Sequence, residues 1–180
     1  MKSRWPLVLL LAACSTPIHS GPEKSGPTEN VKATIAPGET LDLTRQTLVH
    51  SVEFGYPRQQ VWEALLVAHE NAGMALIQSD QPSGTVVYQF QDRNRNIAGK
   101  LASNYVDCGI GAAGPRANTY RLTLRLTHQL EGGNDAMVRV SSSLHASARH
   151  PGTSSGTIEC SSTGELEKRI VGFIAARLSH

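Results

Sequence analysis

Aromatic residues are scarce, at 5% of the 180-residue chain. Any hydrophobic core must therefore be aliphatic and not large. Charge is also thin, at 18% against the usual quarter or so. The formal charge of +2 includes Lys2 and Arg4 at the extreme N-terminus. Without residues 1–13 the 17 basic residues fall to 15, against 15 acidic ones. A neutral chain lacks the electrostatic footprint of a nucleic-acid binder. It also lacks a polybasic segment for an anionic membrane surface. Long apolar runs are missing too. The run Trp5–Ala13 has nine residues, where about 20 are needed to span a bilayer.

The side-chain sets of familiar enzymes are equally thin. There is no Cys-x-x-Cys redox pair. The Cys and His spacing supplies no four-ligand zinc set. No Gly-x-Ser-x-Gly elbow exists. Glu165 and Glu167 read as exposed, dipole-complementing charges at a helix start rather than a catalytic pair. These lacks point to no catalysis, no cofactor and no metal.

What is present begins with an address. The short basic stretch with Lys2 and Arg4, then the apolar run, has the length and flanks of a signal peptide over residues 1–13. It ends Leu11-Ala12-Ala13-Cys14, which resembles the lipobox of bacterial lipoproteins. That resemblance implies cleavage before Cys14 and acylation of its thiol and new amine. Several acyl chains anchor durably, because each buried methylene contributes about 0.8 kcal/mol. Ser15 in the next position resembles the outer-membrane sorting pattern, so the expected location is the cell envelope, anchored to the outer membrane. Residues 14–45 hold Pro17, Pro22, Pro27 and Pro37 among Ser, Thr and Gly, with only scattered aliphatics. This composition predicts a disordered tether, or a segment that orders on a partner.

A single folded domain is expected over residues 46–180. Alternation in Gln46–Phe54 predicts a strand, and Pro57 opens a helix over Arg58–Ala72, stopped by Gly73. Short strands follow at Ala75–Gln78, Thr85–Phe90 and Leu101–Cys108. Along Tyr120–Leu130 and Ala136–Ala148 the even positions are mostly apolar and the odd ones mostly polar. Residues paired across this hairpin must then sum to an even number. Glu131 opposite Asp135, around Gly132-Gly133-Asn134, satisfies that. This register puts His145 opposite Arg121 and His128 opposite Val138. After Thr157–Cys160, Ser162-Thr163-Gly164-Glu165 has capping-box spacing. Leu166, Ile170, Phe173, Ile174 and Leu178 then form a helical stripe.

The order strand, helix, antiparallel strands, helix predicts an α+β fold with two helices on one face of an antiparallel sheet, helix-grip-like. The stretch VWEALLVAHENAGMALIQSDQPSGTVVYQF, Val61 to Phe90, is similar to the BamC-like domains of outer-membrane assembly lipoproteins. They too have Val-Trp opening a helix, Gly near its end, Asp before a Gly turn, and an aromatic-bearing strand. The resemblance implies a non-catalytic envelope binding or assembly module, with another envelope protein as partner.

In an oxidising compartment Cys108 and Cys160 read as a disulfide; two separate buried thiols are the other reading. The stretch CGIGAAG, Cys108 to Gly114, contains Gly-x-Gly-x-x-Gly. A dinucleotide site needs that loop to open a helix within a βαβ unit. Here it runs through Pro115 towards the alternating strand, so it reads as a flexible, small-residue connection between two strands. The second functional class is a small apolar ligand or lipid held between sheet and last helix. Leu122, Leu124, Leu126, Leu166, Ile170, Phe173 and Ile174 would line that cavity; the alternative is that they fill the core.

Overall fold

The structure, a computed structural model, describes residues 19–20, 24–36, 39–92, 96–132, 137–151 and 156–180. Cys14 and the apolar run before it lie outside the described residues, as do Gly133 to Ala136 of the hairpin loop. The fold is α+β. Its main elements are β1 (Lys24–Ala36), β2 (Glu39–Phe54), α1 (Arg58–Ala68), β3 (Ala75–Asp80), β4 (Thr85–Asp92), β5 (Arg121–Glu131), β6 (Val138–Arg149), β7 (Ile158–Ser162) and α2 (Glu165–Leu178). The antiparallel sheet runs β1–β2–β6–β5–β4–β3, and β7 joins β6.

Period-2 patterning builds the centre. On β5, Leu122, Leu124, Leu126, His128 and Leu130 are buried, while the residues between them are exposed or half-buried. On β6, Val138, Val140, Ser142, Leu144, Ala146 and Ala148 are buried. Leu166, Ile170 and Ile174 of α2 and Val61, Trp62 and Leu65 of α1 join this face in one cluster. The opposite face carries Arg121, Arg125, Arg139 and Arg149 and stays exposed. Helix α1 ends in a turn of 3-10 helix, Glu70–Ala72, and Gly73 closes it at φ 68, a left-handed geometry that suits glycine.

The hairpin has the expected parity but another register. Glu131 faces Arg139, not Asp135; His128 faces Ser142, not Val138; His145 faces Arg125, not Arg121. A two-residue pattern survives any even shift, so hydrophobicity alone leaves these registers equivalent. Polar pairing decides between them. Opposite Val138 a buried imidazole would find no cross-strand partner. Opposite Ser142 its Nδ1 lies 2.7 Å from a hydroxyl.

Three further expectations differ. Residues 24–36 pair with 39–49 as a ribbon, and His19–Ser20 pair with Glu53 and Val52. The composition of this stretch predicts no regular structure, but a ladder forms where a neighbouring strand satisfies the backbone, with or without side-chain alternation. The strand expected from Gln46 thus begins at Glu39. Leu101–Cys108 is not one strand: a 3-10 turn, Ala102–Asn104, separates it from the two-residue strand Val106–Asp107. The capping box is displaced as well. Helix α2 starts at Glu165 behind Gly164, and the Ser162 hydroxyl bonds Glu167 at 2.7 Å rather than reaching Glu165. Glu167 is 0% exposed, so it is a buried structural acceptor and not a surface charge.

Candidate functional site

The seven residues proposed to line a cavity share the interface between sheet and α2. Leu122, Leu124, Leu126, Leu166, Ile170 and Ile174 are members of the core cluster, and Phe173 packs half-buried against it. An open groove of about 530 Å³ lies elsewhere. It runs between α1 and the end of α2, lined by Gln60, Glu63, Val67, Arg177, Leu178 and His180. None of the seven touches it.

A polar seam crosses the core beneath α1. His50 on β2, Ser142 on β6 and His128 on β5 are cross-strand neighbours in one row. Tyr88 on β4 meets the His128 ring edge-on, with centroids 5.4 Å apart. His69, just beyond α1, stacks on Tyr88 at 4.6 Å. The Tyr88 hydroxyl donates to the Leu65 carbonyl inside α1, and burial raises its pKa above the ordinary phenol value. His128 and Ser142 are both 0% exposed. Burial lowers the His128 pKa to about 3, so the ring is neutral at neutral pH. Its Nε2 is buried without a hydrogen-bond partner.

A Ser–His contact of 2.7 Å has the reach of a nucleophile and its base. Two features argue against that role here: neither atom meets solvent, and no carboxylate orients the free ring nitrogen. The seam instead links β6, β5, β4 and α1 through directional contacts. Among the described residues no three His, Cys, Asp or Glu side chains gather closely enough to hold a metal ion. The even-numbered stripe predicts a buried face for His128, but only the shifted register brings Ser142 opposite it.

The cysteines do converge. Cys108 and Cys160 are joined, with Cα atoms 4.3 Å apart and 52 residues of separation. The bond ties β7, and through it β6, to the base of the glycine loop. That loop is a small hairpin: Gly111 pairs with Gly114 and Ile110 with Pro115. The Asp107 carboxylate accepts the Gly109 N–H at 2.8 Å, and the Arg116 N–H donates to the Gly109 carbonyl at 3.0 Å. Gly109 sits at φ 75, and a Cβ there would stand 3.3 Å from Nη1 of Arg116. The glycines thus let a guanidinium lie along the backbone. They do not open a helix that could receive a phosphate; the chain enters only a single turn, Arg116–Thr119.

No family model and no curated protein matches the chain. Among solved structures it is similar to the crystal structure of a DUF4468 family protein from Bacteroides ovatus. The identity is 11%, over 63% of this chain and 60% of that one, with a TM-score of 0.35. The chain therefore spans less than two thirds of that protein's length, and a likeness at this level carries no argument about function.

Proposed function

We propose that this protein is an exported, lipid-anchored lipoprotein of the outer membrane, and that its α+β domain is a non-catalytic binding or assembly module of the envelope. The observation that carries the reading is the sequence Leu11-Ala12-Ala13-Cys14 at the end of a nine-residue apolar run. Cys14 would hold the acyl chains. The Cys108–Cys160 bond supports export, because disulfides persist in oxidising compartments and are rare in the cytosol. Among the described residues no helix is long and apolar enough to cross a membrane, which fits attachment through lipid. The equal count of acids and bases beyond residue 13 favours a protein partner over nucleic acid. The BamC-like stretch Val61–Phe90 supports an envelope assembly role by resemblance.

The test is metabolic labelling with a palmitate analogue in a bacterial host, followed by membrane fractionation. Label on the wild-type protein, lost together with membrane attachment in Cys14→Ser, is the expected result. An unlabelled wild-type protein in the soluble fraction would overturn the reading.

A further inference from the structure

We infer that the loop Cys108–Pro115 and the arginines of the strand end it feeds form a docking knob for a protein that offers an apolar pocket rimmed by carboxylates. The inference rests on the envelope reading above and names the surface that would make the contact.

Four observations carry it. Among the described residues Ile110 is 79% exposed, far more than the other exposed large hydrophobics, which reach 48% at most. No side chain from Cys108 to Pro115 is charged or can donate a strong hydrogen bond, so the tip presents only apolar atoms and backbone. The loop is also held rigid. The disulfide, the Asp107 contact, the Arg116 contact and the Gly111–Gly114 pairing fix it at its base and along its length. A rigid knob loses little conformational entropy on docking.

The fourth observation is charge. The single turn Arg116–Thr119 leads straight from the loop into β5 at Arg121. Arg121 stands directly opposite Arg149 on β6, and Arg125 follows on the same outer face. Among the described residues none of these three guanidinium groups has a carboxylate partner within ion-pair distance. Like charges directly opposed across strands are destabilising. An acidic rim would relieve that repulsion through bidentate pairs.

Orientation favours a protein over the anchoring bilayer. His19 pairs with Glu53, which also faces Arg139, at the far end of β6 from Arg149. Ten residues of strand between Arg139 and Arg149 span about 34 Å. Five residues from Cys14 to His19 reach at most about 18 Å. On the anchoring reading, the lipid lies within that reach of one end of the sheet, and the loop leads into the opposite end, at Arg121.

The experiment places a photo-crosslinking amino acid at Ala112 in the full-length lipoprotein in cells, with a second at Gln59 on α1 as control. The expected result is a discrete protein adduct from position 112 and not from 59. Its mapped peptide should be apolar with flanking Asp or Glu. Ile110→Asp should lower the adduct about tenfold or more, and Arg121→Glu/Arg149→Glu should lower it too. Intact disulfide and unchanged melting temperature in those variants would separate lost docking from lost folding. An adduct to lipid, no adduct from 112, or a protein adduct indifferent to Ile110→Asp would each overturn the inference. Palmitate labelling of the same cells reports the anchoring independently, so the two readings fail separately.

Discussion

Lowering the pH from 7.5 to 5.0 should remove about 2 kcal/mol of folding free energy through His128 alone. In the folded chain burial holds this imidazole down to about 3, against the ordinary 6.5. A base with a depressed pKa favours folding most where both states are neutral, above 6.5. Between 6.5 and 3 only the unfolded chain takes the proton, so stability falls as the pH falls. The slope there is one proton, about 1.36 kcal/mol per pH unit. From 6.5 to 5.0 that amounts to about 2 kcal/mol. Urea unfolding followed by far-ultraviolet circular dichroism at pH 7.5, 6.5 and 5.0 measures it. His50, across Ser142, and His69, across Tyr88, sit in the same seam. The wild type is therefore compared with His128→Leu/Ser142→Ala, which replaces the buried polar pair with apolar groups. Removing both partners of a hydrogen bond is close to neutral at pH 7.5, whereas Ser142→Ala alone strands Nδ1 and should cost about 1–3 kcal/mol. If wild type and double variant lose stability equally on acidification, the reasoning fails. It fails equally if nuclear magnetic resonance shows His128 titrating near 6.5 in the folded protein.

Other positions test the architecture. Cys108→Ser/Cys160→Ser should lower stability by about 4 kcal/mol, since the bond closes a separation of 52 residues; denaturant midpoints report it, and a change below 1 kcal/mol would refute a bracing role. Gly84 sits at φ 73, and a Cβ there would fall 2.5 Å from the Leu130 carbonyl oxygen and 2.6 Å from Arg58. Gly84→Ala should therefore cost about 2 kcal/mol or more, read by thermal unfolding. Gly172, exposed within α2 with nothing near its missing Cβ, behaves oppositely. Gly172→Ala should stabilise by about 0.5–1 kcal/mol, and a destabilised variant would mean that α2 packs differently.

Much of this protein is local and therefore legible in one dimension. Alternation in Arg121–Glu131 and Val138–Arg149 determined two central strands, their buried faces and the parity of their pairing. The stripe Leu166, Ile170, Ile174 determined the last helix, and the pair Cys108 and Cys160 invited a bridge. The candidate anchor at Cys14 is legible only as sequence. What required the third dimension is whatever compares distant segments. A period-2 pattern keeps its buried face after any even shift, so the pattern leaves open the register in which His128 meets Ser142 and Glu131 meets Arg139. Glu167 looks like surface charge until Ser162 is folded over it. The ribbon of residues 24–36 and 39–49 owes its order to strand pairing rather than to composition. The glycines of CGIGAAG have phosphate-loop spacing, but Pro115 and the strand beyond it already exclude that reading in the sequence. Tertiary structure made them a brace, because Cys160 closes the base and Arg116 lies against the backbone where side chains would otherwise stand.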